Sequence, residues 1–208
     1  MVRILRADPE GFKEAAAAVS SGKLVCYPTD TVYGVGCNPF NLKALDTLIR
    51  AKGDRTKPLP ILVRGLDEAE KLGRVSDKVK LLAEEFWPGP LTIILPSKSQ
   101  IPILVAPKGT IGVRSPNNVI CLNLLALCGG SLVGTSANLS GQIPATSANE
   151  AASQLGNHVD VILDGGRSSL GIASTVVDVS DNLIVLREGP ISREKLLRCL
   201  RRRTCDSN

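Results

Sequence analysis

Apolar and polar residues alternate along the chain in a way that predicts helices and strands in turn. From Pro9 to Ser21 apolar residues recur at helical spacing, and the segment ends at Gly22, which favours a helix. The apolar run "KLVCY" that follows is typical of a buried strand. The same alternation predicts further helices at 42–51, 76–86, 118–127, 147–155 and from 192 onward, and further strands at "LPILV", "LTIILP", "TIGVR", "SLVGT", "HVDVIL", "STVVDVS" and "LIVLR".

This order of elements, with no internal repeat or linker, predicts one mixed α/β domain that spans residues 1–208. Its core is expected at about 9–197, followed by a short basic tail at 198–208. Ser147 and Glu150 have the spacing of a capping box, which supports a helix start at this point. Strand order is left open by the sequence.

Composition indicates the broad class of protein to which the chain belongs. A chain of 208 residues with 43% hydrophobic residues can bury a substantial core, and it contains no apolar run near the roughly 20 residues that span a bilayer. No signal-peptide core follows the first residues, so we expect a cytoplasmic protein. The six cysteines include no C-x-x-C pair, and we expect free thiols rather than disulfides or a zinc site.

The informative polar residues lie where predicted strands end and loops begin. These junctions are "YPTDTVYG", "AKGDRTKPLP", "TIGVRSP", "GTSANLSG", "GIASTVVD" and "LREGPIS". Open α/β sheets bind ligands at such points. Thr, Ser, Asn, Lys and Arg dominate there, whereas His and paired carboxylates are almost absent. Such a set of side chains favours the binding of anions.

The cationic candidates are Lys52, Arg55 and Lys57 in one segment and Arg114 and Arg187 at strand ends. Guanidinium and ammonium groups there suit phosphate or carboxylate. The alternative is that the first segment only solvates a helix end.

Small residues bracket Ser136 and Asn138 in "GTSANLSG", so a ligand could approach the backbone closely. The alternative here is a simple turn. The basic cluster at Arg198 and 201–203 has two readings as well, a solvated helix end or an RNA contact.

Several common nucleotide- and RNA-binding patterns are absent. The sequence has no G-x-x-x-x-G-K-[ST] loop, and "YGVGCN" fails the G-x-G-x-x-G pattern. Six aromatic residues, only one of them Trp, argue against a module that stacks single-stranded RNA bases. Binding of double-stranded RNA stays open, because it depends on phosphate contacts and shape.

Seven blocks in order resemble the YrdC-like family, over about residues 9–197. They are "YPTDTVYGVG", a Lys/Arg segment with "KPLPILV", "WPGPLTIILP", "IGVRSP", "GTSANLSG", "ASTVVDVS" and "VLREGPI". The resemblance implies a YrdC-like α/β fold, a twisted, mixed and mostly parallel open sheet flanked by helices, with a basic concave cavity. It also implies threonylcarbamoyl-AMP synthase activity, a nucleotidyltransferase reaction. L-threonine, bicarbonate and ATP with Mg²⁺ give L-threonylcarbamoyladenylate and pyrophosphate, the first step of the t6A modification at position 37 of tRNA.

The resemblance also implies roles for single residues. Those expected at L-threonine are Thr31, Arg114, Gly134 and Ser174. Those expected at the nucleotide are Lys52, Arg55, Lys57, Thr110, Ser136, Pro144 and Arg187. Lys52, Arg55, Ser136 and Asn138 form the expected catalytic set, in which Arg55 comes one position later than the family's Lys-x-Arg pattern places it.

The implied partner is a t6A transferase complex that acts on tRNA. The alternative is a double-stranded RNA or tRNA-binding protein of the same family without synthase activity. Pyrophosphate release that requires both threonine and bicarbonate would support the synthase. Salt-sensitive RNA binding without turnover would support the RNA-binding protein.

Overall fold

The chain folds into helices and strands in the order that the periodicity predicts, with additions. The computed structural model describes residues 2–53 and 59–202. The helices in these residues are α1 (Pro9–Ser20), α2 (Leu42–Lys52), α3 (Leu66–Leu72), α4 (Asp77–Phe86), α5 (Val119–Leu127), α6 (Ala148–Leu155) and α7 (Arg193–Arg202). The strands are β1 (Arg3–Arg6), β2 (Val25–Tyr27), β3 (Gly34–Gly36), β4 (Ile61–Val63), β5 (Leu91–Pro96), β6 (Thr110–Arg114), β7 (Ser131–Val133), β8 (Thr135–Ser136), β9 (Val161–Asp164), β10 (Thr175–Asp178) and β11 (Ile184–Arg187).

Short polar side chains explain where the helices begin. Asp8 accepts a hydrogen bond from the backbone N–H of Gly11 at 2.9 Å, which satisfies one of the N–H groups that α1 leaves without a partner. Ser147 accepts from the N–H of Glu150 at 3.3 Å, as the predicted capping box requires. The Glu150 carboxylate, however, accepts from the N–H of Thr146 at 2.7 Å rather than from that of Ser147.

The strands form two mixed sheets. The first has the order β1-β9-β2-β3-β8, and the second has the order β11-β10-β5-β6-β4-β7. In the first sheet β1 and β2 pair parallel with β9, while β3 pairs antiparallel with β2 and β8. In the second sheet β10 pairs parallel with β5, and β4 pairs parallel with β6, while the remaining neighbours are antiparallel.

The mixed α/β class is therefore confirmed, but the expectation of one mostly parallel sheet is wrong. Of the nine strand pairs in the described residues, five are antiparallel and four are parallel, and β3 and β11 follow their antiparallel partners β2 and β10 without an intervening helix. The sequence also missed β1, β3 and α3. In β3, "GVG", the two glycines carry no side chain that could signal a strand, and pairing with its neighbours decides the conformation.

The two sheets meet at Gly134, which lies between the edge strands β7 and β8. Tyr27 of the first sheet donates its hydroxyl to the carbonyl of Val133 at 2.9 Å, and the N–H of Val133 donates to the carbonyl of Cys37 at 3.0 Å. A side chain at Gly36 would overlap the carbonyl oxygen of Val133. The glycine is therefore needed where β3 lies against the backbone of β7.

The second sheet has one apolar face and one partly open face. Along β5, Leu91, Ile93 and Leu95 are completely buried and belong to the larger hydrophobic cluster. Between them Thr92 and Ile94 point to the other side, because successive side chains in a strand alternate. Ile94 is only half-buried. This second side is called the open face below.

Helices cover the apolar surfaces. The larger cluster includes residues of α2, α3, α4, α6 and α7, and a second cluster packs α1 and α5 against β2, β7 and β9. In the part of the chain that the structure describes, no helix is long and apolar enough to cross a membrane. Each of the described cysteines is a free thiol.

Candidate functional site

The loop after β2 is buried although it is polar. Thr29, Asp30 and Thr31 are each at most 6% exposed. The hydroxyl of Thr29 donates to the carbonyl of Val32 at 2.7 Å and accepts from the N–H of Thr31 at 3.2 Å. This local turn holds the loop rigid and brings the Thr29 and Thr31 hydroxyl oxygens to 2.9 Å. Because the Thr29 hydroxyl donates its proton to the carbonyl of Val32, the Thr31 hydroxyl is the donor in the hydrogen bond between the two threonines.

Arg114 closes over this loop from the end of β6. Its Nη1 donates to Oγ1 of Thr31 at 2.8 Å, its Nη2 donates to Oδ1 of Asp30, and its Nε donates to the carbonyl of Gly89 at 2.9 Å. The guanidinium is almost completely buried, and burial lowers the pKa of Arg114, while the charge of Asp30 opposes that shift. Its remaining N–H donors can meet an anion, such as a carboxylate.

Asp30 has an unused oxygen. Oδ1 pairs with Arg114, but Oδ2 is buried and has no hydrogen-bond partner among the described residues. Thr31 retains one acceptor lone pair, because its proton goes to Thr29 and Arg114 donates to it. The loop therefore presents unused acceptors, which match an ammonium or a hydroxyl donor.

The segment after β9 runs across the threonine loop. The N–H groups of Leu170 and Gly171 donate to the carbonyls of Asp30 and Thr31 at 2.9 and 2.8 Å, and Ser169 Oγ donates to the Asp30 carbonyl at 3.1 Å. These bonds satisfy the backbone of the buried loop. The loop itself is almost completely buried, with Asp30 6% and Thr31 2% exposed.

Ser174 and Arg187 form a second group on the open face. Arg187 donates from Nε to the Ser174 carbonyl at 2.9 Å and from Nη2 to the Ser174 hydroxyl at 3.0 Å. The Ser174 hydroxyl also lies 2.8 Å from the hydroxyl of Thr92. The sequence reasoning missed Thr92, because it searched strand ends and this residue lies inside β5.

This second group adjoins Arg114. The antiparallel register that pairs Ile93 with Val113 brings Thr92 beside Arg114 on the same face. Desolvation lowers the pKa of Arg187, and the positive charge of Arg114 lowers it further, which indicates that the two cations are close.

Lys52 forms a third group at the end of α2. Its Nζ donates to the carbonyl of Ser136 at 2.6 Å and to the carbonyl of Asn138, and the residue is only 6% exposed. The side-chain amide of Asn138 donates to the carbonyls of Leu139 and Gln142, both at 2.8 Å. Its Oδ1 is buried without a partner in the described part of the chain. Lys52 therefore holds the Ser136–Asn138 segment through its backbone.

The other predicted residues occupy different positions. Gly134 lies at the junction of the sheets, and its N–H donates to the carbonyl of Pro60 at 2.9 Å. Pro144 lies half-buried in the loop before α6. Thr110 and Arg114 lie at opposite ends of β6, about 13 Å apart along the strand, on the same face. Arg55 and Lys57 lie outside the described residues, so their roles stay predictions.

Two surface cavities lie away from these groups. One of about 450 Å³ lies between the start of α3 and α5, and one of about 210 Å³ lies between Gly65 and Trp87 and reaches Ser115. None of the predicted site residues lines either cavity. The basic cavity expected from the sequence stays a prediction, while the first two polar groups share the open face and its edge.

Comparison with known proteins identifies the family. The model of the Sua5/YciO/YrdC family, described as "telomere recombination", matches residues 17–189. The chain belongs to this family. It is 35% identical to the threonylcarbamoyl-AMP synthase of Pyrococcus abyssi over 186 residues, which cover 88% of this chain and 55% of that protein. It is 38% identical to the putative threonylcarbamoyl-AMP synthase of Mycobacterium tuberculosis over 202 residues, 93% of each chain.

A solved relative shares the fold. The crystal structure of P. abyssi Sua5 complexed with L-threonine superposes with a TM-score of 0.89 at 33% identity and covers 96% of this chain and 60% of that one. The chain thus spans little more than half the length of the Pyrococcus relative, but nearly the whole of the mycobacterial one.

Proposed function

We propose that this chain is a threonylcarbamoyl-AMP synthase. The observation that carries the proposal is the buried group in which Arg114 bonds both Thr31 and Asp30 beside unused acceptor oxygens. A guanidinium with spare donors suits the carboxylate of an amino acid, and the acceptors suit its ammonium and hydroxyl. The threonine bound to Pyrococcus Sua5 and the names of the relatives support the same substrate.

The reaction begins at the amine of threonine. Its nitrogen, after loss of a proton, attacks the carbon of bicarbonate or of the carbon dioxide in equilibrium with it. A nitrogen–carbon bond forms, and the carbamate results with release of water when bicarbonate is the donor. A carbamate oxygen then attacks the α-phosphorus of ATP, the bond from that phosphorus to the bridging oxygen breaks, and pyrophosphate leaves.

The residues of the chain would act by holding charged reactants rather than by covalent catalysis. The carbamate decomposes in water, so the burial of the Thr31 loop favours its survival. Cations and backbone N–H groups can offset the charge that develops on the phosphoryl oxygens. Arg187 is available for this on the open face, and Lys52 would align the Ser136–Asn138 segment beside the nucleotide.

ATP would enter as its magnesium complex. Within residues 2–53 and 59–202, no group of three His, Cys, Asp or Glu side chains could hold a metal ion. Magnesium commonly takes most of its ligands from substrate phosphates and water, so this is compatible with delivery of the ion by the nucleotide. We expect the product to pass to a t6A transferase complex that acts on tRNA in the cytoplasm, where ATP and tRNA are abundant.

Pyrophosphate release tests the proposal. The purified chain is incubated with Mg²⁺–ATP, L-threonine and bicarbonate, and each reactant is omitted in turn. We expect release only when all three are present, with the adenylate detected by mass spectrometry. If pyrophosphate release does not depend on threonine and bicarbonate, and the chain binds duplex RNA with strong salt dependence, the RNA-binding alternative replaces the synthase.

A further inference from the structure

Helix α5 is apolar on nearly every side. Its nine residues, "VICLNLLAL", include one polar side chain, that of Asn123, and no charged one. A helix of this composition is normally enclosed by the protein that contains it. Only one side of α5 is enclosed, where Cys121, Leu124 and Leu125 are completely buried. The opposite side faces outward.

The outward side of α5 carries a continuous row of side chains. Val119 is 69% exposed and Leu127 is 53% exposed. Asn123 and Ala126 are exposed as well, and Leu122 is half-buried. Residues three and four positions apart lie on the same side of a helix, so these five side chains are neighbours. They are called the α5 stripe below.

Helix α4 shows how differently a solvent-facing side is composed in the same protein. The exposed residues of α4 are all charged, namely Asp77, Lys78, Glu84 and Glu85. The α5 stripe has no charge and one amide. A contiguous apolar surface on the outside of a protein marks a place where another molecule binds. The α5 stripe therefore has the composition of a contact surface.

A cavity adjoins the α5 stripe and enlarges this surface. It has a volume of about 450 Å³ and lies between α5 and the start of α3, and Leu122, Asn123 and Ala126 form its α5 wall. The wall on the side of α3 carries charges of both signs, from Arg64, Asp67 and Glu68. A surface with both signs of charge can face a second copy of itself without net repulsion.

The α5 stripe is also complementary to itself. Val119, Asn123 and Leu127 follow one another at intervals of four residues, so Asn123 lies midway between two apolar side chains. When two such helices pack antiparallel and cross at Asn123, Val119 of each copy meets Leu127 of the other. The two Asn123 amides meet at the centre, and because an amide both donates and accepts, they can satisfy each other. A two-fold interface needs such a self-matching surface.

We propose that the α5 stripe is the interface of a homodimer with two-fold symmetry, in which two α5 helices pack antiparallel and cross at Asn123. The proposal does not depend on the synthase activity, because neither α5 nor the adjoining cavity contains a residue assigned to a substrate. One face of a nine-residue helix is small for a stable interface. The start of α3 must therefore contribute, and the dimer should dissociate on dilution.

Sedimentation velocity over an about hundredfold range of concentration tests the interface. The wild type should change from monomer to dimer as its concentration rises. Leu127→Glu places a charge in the interface at two symmetric positions, so we expect the dissociation constant of the dimer to rise about 100-fold. Ile184→Glu is the matched control and should leave that constant unchanged. Ile184 is 54% exposed, but it lies on β11 at the opposite edge of the second sheet from β4 and β7, which α5 contacts.

Two results of this measurement overturn the proposal. A wild type that is a monomer at every concentration leaves the α5 stripe to a different protein. A dimer that Leu127→Glu does not weaken has its interface elsewhere. Thermal unfolding shows whether each variant is folded. Should Leu127→Glu fail to fold, Val119→Glu at the other end of the stripe is tested by the same criteria.

Cysteine cross-linking tests the antiparallel arrangement. Under oxidation by copper phenanthroline, Asn123→Cys should give a disulfide-linked dimer, because the two residues 123 lie together at the two-fold axis. Val119→Cys alone should not, since antiparallel packing separates the two residues 119 by about 12 Å along the helices. A mixture of Val119→Cys and Leu127→Cys should cross-link, whereas the wild type with its six cysteines should not. Cross-linking of Val119→Cys alone, or none of Asn123→Cys, overturns the proposed packing.

Discussion

Arg114 and Thr31 are 83 positions apart in the chain, yet Nη1 of Arg114 donates to Oγ1 of Thr31 at 2.8 Å. The contact joins the end of β6 to the loop after β2, so a strand of one sheet is tied to a loop of the other. With Asp30 on the same guanidinium, the loop is held at both its carboxylate and its hydroxyl. We therefore expect function at this site to depend on the hydrogen bond between Arg114 and Thr31, which joins the two sheets.

Removal of the Thr31 hydroxyl should weaken threonine binding. Thr31→Val keeps the size of the side chain but loses the acceptor of the Arg114 hydrogen bond. We expect the affinity for L-threonine to fall about 10- to 100-fold, while the affinity for ATP stays nearly constant, measured by isothermal titration calorimetry. An equal loss for both ligands would contradict the assignment of this loop to threonine.

Asp30 should be essential for stability as well as for binding. The Asp30–Arg114 pair is buried, with both side chains 6% exposed, whereas the Asp46–Arg50 pair on α2 has side chains 52% and 79% exposed. Asp30→Asn leaves Arg114 without its counter-charge, and we expect the free energy of unfolding to fall by about 3–5 kcal/mol. Asp46→Asn removes the same group from an exposed pair and should change it by less than about 1 kcal/mol. The free energy of unfolding of both variants is measured by urea denaturation. Equal losses in the two variants would show that burial of the pair is unimportant.

Lys52 should control the order of the segment that carries Ser136 and Asn138. Lys52→Met removes the donor to both carbonyls, so we expect faster hydrogen exchange at 136–142 and pyrophosphate release at least tenfold slower. Lys43→Met changes an exposed lysine on the same helix and serves as the control. Slower turnover with unchanged exchange would indicate that Lys52 acts on the nucleotide alone.

The buried thiols should make the fold sensitive to alkaline pH. Burial raises the pKa of Cys26 and of Cys37 from 9.0 to about 12. The unfolded chain therefore loses these protons first, and rising pH above about 9 favours unfolding, by about 1.4 kcal/mol per pH unit for each thiol until its folded pKa is reached. The free energy of unfolding, measured in urea between pH 8 and 11, should fall less steeply in Cys26→Ala than in the wild type. The same slope in both would contradict a raised pKa at this position.

Much of the fold could be predicted because its signals are local. The start of α1 at Pro9, capped by Asp8, and the start of α6 after Ser147 depend on residues within one helical turn. By contrast, β3 could not be predicted, because Gly34 and Gly36 carry no strand signal, and the conformation depends on pairing with the preceding strand at Tyr27 and on Val133, which is distant along the chain.

The site residues also divide into those that local sequence predicted and those that only the folded structure revealed. Polar residues at strand ends pointed to Thr31, Arg114, Ser174 and Arg187, and the structure bonds them in two groups that meet on the open face. Thr92 escaped notice because its importance comes from strand order, which places β5 between β10 and β6. Lys52 is expected at phosphate, and in the structure its Nζ donates to the carbonyls of Ser136 and Asn138, which only the folded chain brings within reach.

The sequence by itself determined the helices and most strands and predicted a site for anions, because these follow from the spacing and chemistry of neighbouring residues. The tertiary structure decided the division into two sheets, the burial of the Asp30–Arg114 pair and the meeting of Thr92 with Ser174. These features depend on which strands lie side by side, and strand pairing is set by packing across the whole chain rather than by any one segment.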